Sequence, residues 1–117
     1  MSGCVALKTN LMIPSISPKE LHAELRGQNP PTIIDVREAY ELKISTLKNT
    51  VHIPLAQLPG HVEELTKDKK YVVMCRVGGR SAQATSYLIQ AGFANVRNLT
   101  TGINGWAKTV DTSMQEY

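Results

Sequence analysis

The sequence predicts an α/β domain built on a mainly parallel sheet. Short apolar, β-rich runs alternate with helix-period segments along the chain, the pattern of strand–helix–strand units. The segments richest in reactive side chains, Asp35-Val36-Arg37 and the stretch from Cys75, both fall at predicted C-terminal strand ends. Parallel sheets bind ligands there. Composition agrees: 117 residues, 42% hydrophobic and 20% charged, suit one domain with one core.

Residues 1–14 lack periodicity and are expected to form a tail or a short leading strand. Ser17-Pro18-Lys19-Glu20 starts a helix, with a Ser cap, Pro at the first helical position and Glu three after the cap. Leu21 and Leu25 share its face, and it stops near Gly27, ahead of Asn29-Pro30-Pro31. Thr32 to Val36 reads as a buried strand, and Glu38 to Lys43 as a short helical turn. Val51 to Pro54 is a weaker strand, after which Leu58, Val62 and Leu65 recur at helical spacing. The strand Tyr71 to Cys75 leads through a loop into a helix from Ser81 to about Ala91. Ala84, Tyr87, Leu88 and Ala91 are expected to share its apolar face, with Gly92 as a left-handed cap. Val96 to Leu99 is a further strand, and Gly102 to Lys108 a last short helix with Trp106 in the core. The ending 111–117 is polar and expected to be extended.

The formal charge of +3 is mild, and Lys67-Asp68-Lys69-Lys70 has no interleaved aromatics, so it reads as a solvated turn rather than a nucleic-acid patch. No apolar stretch approaches the roughly 20 residues of a membrane span. The N-terminal segment is a poor signal peptide, and Cys4 and Cys75 do not make a disulfide framework. These features point to a reducing cytoplasm, where a thiol stays available.

Cys75 is the leading candidate for chemistry. It closes an apolar strand and opens Cys75-Arg76-Val77-Gly78-Gly79-Arg80-Ser81, directly ahead of a helix. Amides converging in a tight turn, the positive end of the helix and two guanidinium groups all favour negative charge on sulfur. The amides carry most of this, since a hydrogen bond to a charged group contributes ~1.5–3 kcal/mol and the helix end only ~0.3–1 kcal/mol. Arg80 either positions an anionic donor or fastens the loop to a carboxylate; Arg76 is expected to be exposed and useful for docking. Gly78 and Gly79 permit positive φ and close backbone approach. Asp35 and Arg37 are expected to brace the loop from the neighbouring strand end. His22, His52 and His61 lack metal-ligand spacing, so no metal is expected, and a thiolate activated by its surroundings needs no organic cofactor.

Taken in order, several segments resemble the rhodanese-like sulfurtransferase family in its single-domain form, over residues ~15–110. They are Ser17 to Leu21, Ile34-Asp35-Val36-Arg37-Glu38, Ile53-Pro54-Leu55, Cys75 to Ser81, Ala91-Gly92-Phe93 through Asn98-Leu99, and Gly102-Ile103-Asn104-Gly105-Trp106. The loop and the Asp111…Tyr117 ending are most similar to the C-terminal domains of molybdopterin-synthase sulfurylase and sulfur-carrier-activating proteins. The resemblance implies a five-stranded, mainly parallel sheet with helices on both faces. It implies sulfane sulfur carried as a persulfide on Cys75, from thiosulfate or a protein persulfide to a thiophilic acceptor. A cysteine desulfurase and a small sulfur carrier protein are the partners it suggests. Where many members have Gly-His-Ile and Gly-Ala-x-Asn segments, this chain has Ser45-Thr46-Leu47 and Asn49-Thr50-Val51-His52, which bears on partner choice.

Two rival functions share the fold. A cysteine-based phosphatase or arsenate reductase would place an oxyanion in the loop, but the Cys-x4-Arg spacing suits a compact sulfur cradle. A non-catalytic interaction module would have lost the cysteine or the loop, and both are present. Cys4 could resolve a persulfide as a disulfide or be an incidental thiol.

Overall fold

The structure is a computed structural model that describes residues 13–117. Cys4 and most of the expected leading tail lie outside these residues. Five strands form one sheet: β1 Ser15–Ile16, β2 Thr32–Asp35, β3 Thr50–His52, β4 Lys70–Met74 and β5 Asn95–Leu99. Their order is β1-β5-β4-β2-β3, and every pairing is parallel. The leading strand is thus Ser15–Ile16, just after the expected tail, tied to β5 by Ile16↔Leu99.

Four helices lie between the strands, α1 Pro18–Leu25, α2 Ala39–Leu42, α3 Leu58–His61 and α4 Gly79–Gln90, and a fifth, α5 Gly102–Thr109, follows β5. Short 3-10 turns, Leu55–Gln57 and Val62–Glu64, flank α3, so the Leu58, Val62, Leu65 spacing is carried by broken turns rather than one helix. Pro54 and Pro59 lack the N–H groups that a continuous helix would use there. The α1 cap matches its sequence signature. The Ser17 hydroxyl accepts from Glu20 N, and the Glu20 carboxylate accepts from Ser17 N.

Strand alternation splits the core between two faces. Ile33, Val72, Met74 and Leu99 pack with Leu21, Ile103 and Trp106 under α1 and α5. Ile34, Tyr71, Val73, Cys75 and Val96 pack with Leu58, Ala84, Leu88 and Phe93 on the face covered by α4. Helices therefore cover both faces, as expected.

Two readings of the sequence need correction. α4 starts at Gly79 rather than Ser81 and buries Ser81, Ala84, Thr85 and Leu88, leaving Tyr87 40% exposed. The inward stripe includes two hydroxyl residues, which a hydrophobic pattern does not reveal; Thr85 Oγ1 donates to Ser81 O at 2.7 Å. The ending 111–117 is not simply extended. It turns at Asp111, whose carbonyl accepts from Met114 N, and brings Tyr117 back against α5 and the end of β2. Gly92 has φ +101 and caps α4 as expected.

Candidate active site

β4 delivers Cys75 past its last paired residue, Met74, into the turn that opens α4. The Cys75 side chain is 1% exposed, and its Sγ accepts from Gly78 N at 3.1 Å and Ser81 N at 3.4 Å. Ser81 Oγ lies 3.2 Å from the same sulfur. Gly78 reaches this position with φ +109, a conformation that costs a side-chain-bearing residue. The first N–H groups of α4 have no helical partner, and that of Ser81 is one of them turned to the sulfur.

Why the amides face inward follows from where the carbonyls go. Cys75 O accepts from Ile103 N at 2.9 Å and Arg76 O from Asn104 N at 3.1 Å, both on the first turn of α5. The carbonyls are thereby turned away from the sulfur. This contact requires glycine at 102: a Cβ there would sit on the backbone of Cys75 and Arg76.

The other predicted site residues divide clearly. Arg80 is locked in a two-pronged pair with Glu41, Nη1 to Oε2 at 2.7 Å and Nη2 to Oε1 at 2.9 Å. Of the two roles open to it, the geometry matches the loop-to-carboxylate pair. Asp35 and Arg37 are both fully buried and paired at 2.8 Å. Arg37 also donates to Ser45 O at 2.9 Å and to the Tyr117 hydroxyl at 2.9 Å, while its own carbonyl accepts from His52 Nε2 at 2.8 Å. Asp35 and Arg37 make no direct hydrogen bond to the Cys75 loop; they reach it through Tyr117 and Glu41. Arg76 and Val77 are exposed, Val77 at 61%. The Arg76 guanidinium lies 4.9 Å from the centroid of the Tyr117 ring.

Four residues of this neighbourhood are not among the candidates the sequence singles out. Glu41 is 3% exposed, binds Arg80 and accepts from the Tyr117 hydroxyl at 2.6 Å. The Arg80 guanidinium, with help from Tyr117 and the Glu38 amide, holds the Glu41 carboxyl down to about 2. The same pairing raises Arg80 above its ordinary value. Burial, reinforced by Glu41, pushes the Tyr117 phenol up. Asn104 clamps the backbone of Tyr117 with both ends of its amide, and Asn98 accepts from the Ser81 hydroxyl at 2.5 Å. The signals that existed were indirect: an arginine in a buried loop needs a carboxylate, and β5 Asn98 is a polar residue in an inward strand position.

The pattern of the rhodanese-like domain matches residues 17–109. This chain belongs to the rhodanese-like domain family. A sulfurtransferase of Allochromatium vinosum is 32% identical over 97 residues, covering 83% of this chain and 91% of that protein. An adenylyltransferase and sulfurtransferase of Arabidopsis thaliana is 30% identical, and the match spans 87% of this chain but 25% of that longer protein. Among solved structures, a rhodanese-related protein of Thermoplasma volcanium superposes with TM-score 0.76 at 34% identity, covering 83% of this chain and 93% of that one. The five-stranded parallel sheet described above is therefore the rhodanese-like fold, with Cys75 in its loop between β4 and α4.

Proposed function

We propose that this rhodanese-like domain is a sulfurtransferase that carries sulfane sulfur as a persulfide on Cys75. The observation that carries the proposal is the sulfur of Cys75 set at a strand end and facing the N–H groups of Gly78 and Ser81. Donors aimed at sulfur stabilise charge there without reorganising, as an oxyanion hole does for oxygen. The Cys75 thiolate attacks the sulfane sulfur of thiosulfate or of a protein persulfide. The donor S–S bond breaks, its electron pair leaves with sulfite or the donor thiolate, and a new S–S bond forms on Cys75. A thiophilic acceptor then attacks the outer sulfur, and the electron pair of that bond returns to Sγ. The reaction is nucleophilic catalysis through a covalent intermediate and uses only the chain's own residues.

Thiosulfate is a small anion, and Arg76 is the guanidinium of the loop that projects into solvent. A cysteine desulfurase as donor and a small sulfur carrier protein as acceptor fit the likeness to the Arabidopsis adenylyltransferase and sulfurtransferase. Such chemistry needs a reduced thiol, which suits the cytoplasm. The phosphatase reading is disfavoured by Arg80: both of its terminal nitrogens are committed to Glu41, and a phosphate would have to break that pair.

Intact mass spectrometry after incubation with thiosulfate, or with a desulfurase and cysteine, tests the proposal. The expected result is gain of one sulfur atom, removed by reductant and absent in Cys75→Ser. No gain with either donor, or equal gain in Cys75→Ser, overturns it.

A further inference from the structure

The Ser81 hydroxyl has one proton and two neighbours that can accept it. Asn98 Oδ1 lies 2.5 Å away and Cys75 Sγ 3.2 Å away. The orientation of the Asn98 amide is fixed by its other end, since Nδ2 donates to Gly78 O at 3.3 Å and so leaves the oxygen facing Ser81. The Asn98 backbone is held by the sheet. It pairs with Val73 across β4 and Ser15 across β1, and its N–H donates to Pro14 O at 2.8 Å. Cys75, Ser81 and Asn98 are 1%, 0% and 8% exposed, so water does not offer these atoms an easy substitute.

This arrangement has a consequence for charge on sulfur. While the Ser81 proton points to Asn98, the contact between Ser81 and Cys75 is favourable only if sulfur donates, as a neutral thiol. A thiolate would face a hydroxyl lone pair. To stabilise the thiolate, the hydroxyl must turn from Asn98 to sulfur and become a third donor beside the Gly78 and Ser81 amides.

We propose that Asn98 is a positioning residue that competes with Cys75 for the Ser81 proton, so that the hydroxyl swings between them as the charge on sulfur changes. It points to Asn98 when Sγ is uncharged, in the thiol and as the inner sulfur of a persulfide. It points to Sγ when Sγ is a thiolate. The transfer part of this inference rests on the persulfide reading above. When an acceptor takes the outer sulfur, the S–S bond breaks and its electron pair goes to Sγ. The Ser81 O–H then rotates to donate to the departing thiolate. No proton changes owner and Ser81 stays neutral throughout. Attack on a donor runs the rotation in reverse. Asn98 thus gives the hydroxyl a resting partner in the persulfide state, where its donation to sulfur has little value.

The test is a double-mutant cycle read by the ultraviolet absorbance of the thiolate, each variant compared with its own Cys75→Ser form. It is run at a pH where the wild-type thiol is partly ionised. Ser81→Ala is expected to lower the thiolate-to-thiol ratio about tenfold, and Asn98→Leu to raise it about three- to tenfold, by the strengths of charged and neutral hydrogen bonds. Ser81→Ala with Asn98→Leu is expected to match Ser81→Ala alone if Asn98 acts on sulfur through that hydroxyl; an effect carried instead by its other bond, Nδ2 to Gly78 O, would survive the loss of Ser81 and show as additivity. Asn98→Asp, which keeps the shape and accepts more strongly, is expected to lower the ratio more when Ser81 is present than in Ser81→Ala, where only repulsion between the new carboxylate and sulfur remains. General damage to the loop would move Ser81→Ala and Asn98→Leu in the same direction. A fall in Asn98→Leu, additive effects in the double variant, or a rise in Asn98→Asp overturns the inference. The mass experiment separates the two claims. A persulfide that forms while the cycle is additive sinks the competition alone; a non-additive cycle without any persulfide leaves the competition standing and sinks the transfer.

Discussion

On the β5 side of the Cys75 loop, sulfur meets neutral groups: two amides, the Ser81 hydroxyl and, behind it, the Asn98 carboxamide. On the β2 side, charges are crowded together but cancel in pairs, Arg37 with Asp35 and Arg80 with Glu41, with Tyr117 bonded to both sets. The contrast is instructive. A neutral, hydrogen-bonding wall can respond to a sulfur that gains and loses charge, because a hydroxyl rotates cheaply. A wall of closed ion pairs responds little; its role is to fix where the loop stands. Arginines near a buried thiol are easily read as anion receivers, yet here two of the three are held in pairs with buried carboxylates. Among the described residues only Arg76 of the three lacks a carboxylate partner.

The sharpest way to break this division is to remove the buried arginine. Arg37→Met keeps an unbranched side chain of similar reach but leaves Asp35 charged, fully buried and without its partner. Removing one member of a buried pair costs roughly 3–5 kcal/mol. Urea unfolding at neutral pH is the measurement, with the transition slope unchanged. A loss below about 1 kcal/mol would mean that the β2 wall is not structural.

Glu41 offers the next effect, through acid. Its carboxyl is held down to about 2 from an ordinary 4.5, chiefly by Arg80. A depressed carboxyl contributes stability that is complete above the unfolded value and disappears as pH falls toward the folded one. Stability should therefore decline between about pH 4.5 and pH 2, by on the order of 3 kcal/mol from this group. Other paired carboxylates, Glu24 with Arg97 among them, shift the same way, so the useful quantity is a difference. The gap in urea midpoint between wild type and Glu41→Gln should be widest at pH 6 and close by pH 2. A gap that stays constant across that range would remove Glu41 from the acid response.

The same division explains which parts of the site were legible in the sequence. Cys75 and its loop were visible because local chemistry announces them: an apolar strand, two glycines, then a helix start. The order of elements was visible for the same reason, since capping boxes, strand runs and glycine caps act over a few residues. The β2 wall was not. Glu41 and Arg80 are 39 residues apart and Tyr117 lies 76 beyond Glu41, so no spacing rule connects them. Asn98 is legible only as part of a family-like segment, because a polar residue in a strand does not say which side chain it will meet. The ending 111–117 is not legible because the anchors of Tyr117, on Arg37, Glu41 and Asn104, are tertiary. What closes on itself in three dimensions leaves little periodicity to read.

The smallest expected effect falls on the one arginine of these three outside the closed pairs. Arg76 is exposed and leans on the Tyr117 ring, so Arg76→Ala removes a charge near the mouth without uncovering a buried partner. Unfolding stability should move by no more than about 0.5–1 kcal/mol, the scale of an exposed cation–ring contact. If Arg76 receives the anionic donor, KM for thiosulfate should rise about three- to tenfold with kcat nearly unchanged, since an exposed charge pair is worth roughly 1 kcal/mol or a little more. Raising the ionic strength should shrink that difference, because exposed charges are screened while buried pairs are not. Arg76→Lys should recover most of the lost affinity, as only a charge is required. Arg80→Lys should fare worse, because it must replace a two-pronged bond to Glu41 with a single one. Equal KM values in wild type and Arg76→Ala at low salt would hand the anion to another part of the loop and erase the distinction between its free and its paired arginines.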